Sequence, residues 1–83
     1  MMNKREIYTH IFMDIFNVEE SALDETFTFK DVAVWNSLTH LTLISELEVA
    51  FDIMFETEDI LHFGGYENGK KILSSKYGVS FKE

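Results

Sequence analysis

Ser37 and His40 stand three residues apart in the run Val34-Trp35-Asn36-Ser37-Leu38-Thr39-His40-Leu41. On a helix that spacing puts both side chains on one side, which supplies a nucleophile and a base. A hydrolase also needs oxyanion donors and a carboxylate to orient the histidine. Neither can be picked out of the sequence, and so small a domain has little room for an enclosed pocket. Ser37 alone has two further readings. At the head of an apolar helical pattern its hydroxyl can cap the helix. It can equally be the point where a phosphate-linked group is attached, because a helix N-terminus offers free N–H groups and a positive dipole end to a phosphate. In that case His40 is a half-buried packing residue or a wall beside the attached group.

The other chemistry-bearing residues are acids. Asp52, Glu56, Glu58 and Asp59 could hold Ca²⁺ or Mg²⁺ weakly, but they lack the ligand spacing and central glycine of an EF-hand loop, so no metal site is expected. The chain has no Cys, hence no disulfide, no thiolate metal site and no thiol of its own for covalent chemistry. From Glu19 to Asp59 eleven acids (Glu19, Glu20, Asp24, Glu25, Asp31, Glu46, Glu48, Asp52, Glu56, Glu58, Asp59) face one base, Lys30, within a total charge of −8. Such a field repels nucleic acid and anionic membrane surfaces, which are held chiefly through Lys and Arg. It either attracts proteins with basic patches or simply keeps a Phe-rich chain soluble.

These residues must be positioned by a single domain spanning 1–83. The chain is 46% hydrophobic with eight Phe and one Trp, enough for one aromatic core. No apolar run approaches the roughly 18 residues of a membrane span, and the N-terminus lacks a secretory apolar stretch, so a cytoplasmic monomer is expected. Ile7, Ile11, Phe12, Ile15 and Phe16 predict a first amphipathic helix over 3–16. Residues 17–35 predict a long ordered loop anchored by Leu23, by Phe27 or Phe29, and by Val32. The alternation Thr26-Phe27-Thr28-Phe29 has no evident pairing partner. A loop of this length hints at function.

A second helix is predicted from Asn36 or Ser37, both good caps, to Phe51, burying Leu43, Ile44, Leu47 and Phe51. Leu38 and Val49 lie off that stripe, available to a partner. Thr57 predicts the cap of a short helix with Glu58 and Asp59 in its first turn and Ile60, Leu61 and Phe63 inward. Gly64-Gly65 ends it. The last helix is predicted over 66–77, with Tyr66, Ile72, Leu73 and Tyr77 inward, Gly69 at a close helix approach, and Gly78 just past the end. The tail from Val79 to Glu83 is expected to be mobile.

That order of elements, with Asn36-Ser37-Leu38 at the second helix and Glu46-Leu47-Glu48-Val49-Ala50-Phe51-Asp52 along it, resembles the acyl carrier protein family over about residues 5–77. Phe29 stands eight positions before the serine, as in typical carriers. The Trp before the motif and the His after it are similar to carriers of specialised biosynthetic pathways, such as polyketide assembly, outside housekeeping fatty acid biosynthesis.

The resemblance implies an all-α four-helix bundle of three main helices and one short one. It further implies that Ser37 receives 4′-phosphopantetheine from coenzyme A through a phosphopantetheinyl transferase, with Asn36 and Leu38 framing the site. The protein would then be no enzyme itself. It would hold acyl or aminoacyl groups as thioesters for loading and processing enzymes with basic docking patches, which would meet Leu38, Leu41, Glu46, Glu48, Val49, Glu58 and Asp59. The missing cysteine fits, because the working thiol belongs to the cofactor. The match departs from the family at Asn36, where Asp is usual: capping ability is kept and a charge is lost. The alternatives are a carrier-like interaction module that is never modified, and the small Ser/His hydrolase.

Overall fold

Asn3 starts the first helix through a capping box. Its side chain accepts from the Glu6 N–H at 2.8 Å, and the Glu6 carboxylate accepts from the Asn3 N–H at 3.1 Å. In the computed structural model, which describes residues 2–81, α1 (Lys4–Phe16) follows from this cap. A 3₁₀ turn at Glu20–Ala22, α2 (Ser37–Phe51), α3 (Thr57–His62) and α4 (Tyr66–Lys76) complete the order. Among the described residues the protein is all-helical, with no strand and no helix long and apolar enough to cross a membrane. Its radius of gyration is 11.7 Å, against about 12 Å for a compact domain of this length.

The first two helices end alike. Asn17 and Asp52 adopt positive φ (55° and 54°), and the next N–H reaches back to the carbonyl five residues earlier: Val18 to Met13 at 3.2 Å, Ile53 to Glu48 at 3.1 Å. Asn and Asp tolerate this left-handed conformation better than other non-glycine residues. At the end of α4, Gly78 takes φ 70°, and the N–H of buried Val79 reaches the Leu73 carbonyl at 3.1 Å.

The predicted face of α1 enters the core at Phe12 and Phe16, with Ile11 and Ile15 packed against it, and the structure adds Tyr8 and Thr9. Tyr8, Thr9, Phe12 and Phe16 are buried, while Ile7, Ile11 and Ile15 are half-buried. Rings at 8, 12 and 16 recur every four residues and so stack on one side of the helix. The Tyr8 hydroxyl can be buried because it donates to the Tyr66 carbonyl at 2.8 Å. Burial, reinforced by the nearby Tyr66 and Glu67, pushes its pKa well above the ordinary tyrosine value. The Thr9 and Tyr66 hydroxyls meet at 2.8 Å, a second tie between α1 and α4.

Leu23 and Phe27 anchor the long loop, as does Trp35, while Val32 is half-buried and Phe29 stays exposed. Phe12 meets Trp35 and Tyr66 edge-on, at centroid distances of 5.7 and 5.0 Å, an arrangement favoured by the ring quadrupole. The alternating segment does have a partner: Thr28 bridges antiparallel to Gly65. The Phe29 N–H donates to the Gly64 carbonyl and the Tyr66 N–H to the Phe27 carbonyl, both at 2.9 Å. The expectation of an unpaired segment is therefore corrected.

Phe63, just past α3, is buried and Ile60 half-buried, but Leu61 points outward, contrary to its predicted inward role. Residues 60 and 63 share a side of the helix, and Leu61 lies about 100° away from Ile60. Gly69 stands at the predicted close approach: a Cβ there would overlap the Phe63 ring and the Tyr8 hydroxyl. The tail is anchored rather than loose. Val79 is buried, and the Phe81 ring packs 5.3 Å from Tyr8 and 6.2 Å from Phe51. Lys82 and Glu83 lie outside the described residues.

Candidate functional site

Asn36, not Ser37, caps α2. Its side-chain oxygen accepts from the Leu38 and Thr39 N–H groups at 3.0 and 3.1 Å. Its own N–H donates to the Thr39 hydroxyl at 2.9 Å, and that hydroxyl donates onward to the Val34 carbonyl at 2.9 Å. The cap reading of Ser37 is thereby corrected: the serine is the first residue inside the helix. Its side chain is exposed, and among the described residues no hydrogen bond engages its hydroxyl. The first intrahelical bond runs from the His40 N–H to the Asn36 carbonyl at 2.8 Å, so the Ser37 N–H has no acceptor within the helix. A free hydroxyl and a free N–H thus sit together at the positive end of α2.

His40 is half-buried and fully engaged. The indole N–H of Trp35 can only donate, so its 3.0 Å bond to Nδ1 makes that nitrogen an acceptor. The proton is therefore on Nε2, which donates to the Ile60 carbonyl at 2.8 Å. No ring nitrogen remains to take a proton from Ser37, and the hydrolase reading loses its base.

Between Ser37 and α3 lies a cleft of about 370 Å³, lined by Phe29, Ser37, His40, Leu41, Ile60, Leu61 and Gly64. Its walls are mostly apolar and strongly exposed: Leu41 is 60% and Leu61 73% accessible. The bridge between Thr28 and Gly65 brings Phe29 and Gly64 to its edge. A larger groove of about 680 Å³ runs between α1, the 3₁₀ turn and the start of α4. There Arg5, His10 and Lys70 mingle with Glu6, Glu20 and Glu67, and Lys70 lies 3.3 Å from Glu67. Two cations, Arg5 and Lys70, against three carboxylates leave it polar and slightly acidic, so size alone does not make it the better site. Among the described residues no group of three or more His, Asp or Glu is placed to hold a metal ion.

No protein-family model matches the chain, and no curated protein matches it.

The residues expected to meet partners divide into two sets. Leu38 is 76% exposed and Leu41, Glu46, Val49 and Glu58 are exposed too, so all five are open to contact. Glu48 is half-buried, and its carboxylate accepts the Phe55 N–H at 2.9 Å, holding the turn from α2 into α3. Asp59 is only 4% exposed. Lys76 donates to one of its oxygens at 2.8 Å and the Tyr77 hydroxyl to the other, while that hydroxyl accepts the Glu56 N–H at 2.9 Å. The Lys76 and Tyr77 hydrogen bonds hold the Asp59 carboxyl below its ordinary pKa. Asp59 lies one turn before buried Phe63, on the face turned toward α4, so its carboxylate is engaged in tying α3 to the end of α4. Phe29, Ile60, Leu61 and Gly64 were not predicted as site residues, since nothing local in the chain tells which loop residues will meet α2.

Proposed function

We propose that the protein is a carrier of acyl-carrier-protein type, modified on Ser37 with 4′-phosphopantetheine, that presents acyl or aminoacyl thioesters to partner enzymes. One observation carries this reading: with Asn36 taking over the cap, an unbonded, exposed Ser37 hydroxyl stands at the rim of an apolar cleft. In the modification the Ser37 oxygen bonds to the phosphorus of coenzyme A that bears the pantetheine arm. The phosphoanhydride bond breaks, the nucleotide leaves with its phosphates, and the serine proton passes to a base on the transferase. The phosphodiester so formed lies at the positive end of α2, beside the free Ser37 N–H. Leu38, Leu41, Glu46 and Val49 offer partners an apolar strip flanked by acid, and basic patches would speed the encounter.

The test is intact mass after incubation with coenzyme A and a broad-specificity transferase. A phosphopantetheine adduct on the wild-type chain and none on Ser37→Ala supports the carrier. The absence of adduct with several transferases overturns it in favour of an unmodified interaction module, the reading favoured by Asn36, which lacks the charge usual beside the modified serine.

A further inference from the structure

The cleft beside Ser37 has a fixed end. His40 is gripped from two elements at once, by the Trp35 indole at 3.0 Å and by the Ile60 carbonyl at 2.8 Å. Its ring stands edge-on to Phe29 and Phe63 at centroid distances of 5.8 and 6.4 Å. Behind it the interior is occupied by Trp35 and Phe63, 2% and 0% exposed. A group entering between Leu41 and Leu61 therefore reaches a wall it cannot pass without parting both hydrogen bonds in a half-buried site, where unpaired polar groups are disfavoured. The side walls, Phe29, Leu41, Ile60 and Leu61, give a charged group no partner.

Building on the carrier reading, we propose that His40 is the end wall of this cleft and restricts what the Ser37 arm can lodge there to short apolar acyl groups. Trp35 acts through His40, as a positioning residue. The first carbons of an acyl chain leave water against Leu41, Ile60 and Leu61. Further carbons have nowhere to go but outward over the exposed Leu61, so they gain no shelter.

The experiment loads Ser37 by transferase from acyl-coenzyme A thioesters running from acetyl to dodecanoyl, then follows hydroxylamine cleavage of each thioester. In the wild type the rate falls over the first carbons, by up to about fourfold per fully lodged methylene (about 0.8 kcal/mol each), and then levels off. His40→Ala, which removes the wall, and Trp35→Phe, which keeps a ring but leaves His40 held only by the Ile60 carbonyl, both move the levelling point to longer chains, the second by less. A merely structural role would raise all rates together and leave that point unmoved, and this result overturns the proposal. So does a wild-type rate that is flat from acetyl onward, or one that keeps falling to dodecanoyl. A wild-type chain that accepts no arm from any transferase fails earlier, at attachment, and overturns the carrier reading together with the length limit.

Discussion

Phe12 and Leu61 are both large apolar side chains, yet Phe12 is sealed among rings and Leu61 is 73% exposed. Around Phe12 the apolar surface is buried, and the polar atoms of Tyr8, Thr9 and Tyr66 are bonded to one another or to backbone. Around Leu61 the opposite holds: Leu41 and Phe29 are exposed across the same cleft and the Ser37 hydroxyl is unbonded. The buried surface is thus gathered where α1, the loop, α4 and the inner face of α2 (Leu43, Ile44, Leu47) meet. The corner between α2 and α3 keeps apolar surface that folding did not need to bury, which is what binding sites tend to look like.

The largest test of that contrast is Phe12→Ala against Leu61→Ser in denaturant unfolding. Phe12→Ala removes the ring that touches Trp35, Phe27 and Tyr66, and a loss of about 3–5 kcal/mol is expected. Leu61→Ser should stay within about 0.5 kcal/mol of wild type. Comparable losses would mean that the cleft is part of the core after all.

The same contrast marks what was legible in the sequence. Of the caps, Gly78 read well at the end of α4, because a left-handed residue acts within a few positions; Thr57 did not, being the first residue inside α3 behind Glu56, whose side chain makes no capping bond. The stripe Leu43, Ile44 and Leu47 read well because fifteen residues of α2 give periodicity room to show. Trp35 did not read as core, since a loop has no period and its burial is set by rings from α1. Asp59 and Leu61 were exchanged, one expected outside and the other inside. A six-residue helix has fewer than two turns, so its faces were decided by Lys76 and Tyr77, seventeen and eighteen residues away. Gly64-Gly65 read as a break and not as the partner of Thr28. The free state of Ser37 could not be read either, because Asn36 and Ser37 were equally good caps until the backbone chose one.

That choice is the next test. Asn36→Ala removes the acceptor for two N–H groups and should cost about 1 kcal/mol, whereas Ser37→Ala should fall within about 0.5 kcal/mol of wild type. Equal losses would return the serine to a capping role and remove the reason to regard its hydroxyl as free.

Acid and alkali probe the two regions separately. Asp59 has a folded-state pKa below its unfolded value, so its stabilisation is present above the ordinary aspartate value of about 3.9 and is lost as pH falls through the folded-state pKa. Asp59→Asn should lower the melting temperature at neutral pH and flatten its decline in acid. Tyr8 is shifted the other way. Its contribution is complete below about pH 10 and is lost as pH rises toward its folded-state pKa, so Tyr8→Phe should soften the alkaline limb. Melting curves across pH that show neither limb changed would mean that these contacts do not hold α3 and α1 onto α4.

The smallest effect on stability carries the sharpest information on function. Asn and Asp are nearly equal caps, and a carboxylate at a helix N-terminus gains about 0.3–1 kcal/mol from the dipole, so Asn36→Asp should leave the fold intact and slightly stabilised. Its effect on the other region is different in kind. It places a negative charge beside a hydroxyl that is exposed and unbonded, and a transferase with a basic approach surface would then meet its target faster, chiefly through association rate. Single-turnover modification, followed by intact mass at low and high salt, should show Asn36→Asp ahead of wild type at low salt and the gap closing as salt rises. If the two are modified equally at every salt, the charge missing at position 36 is not what partners read, and recognition rests on Leu38, Leu41 and the acids further along α2.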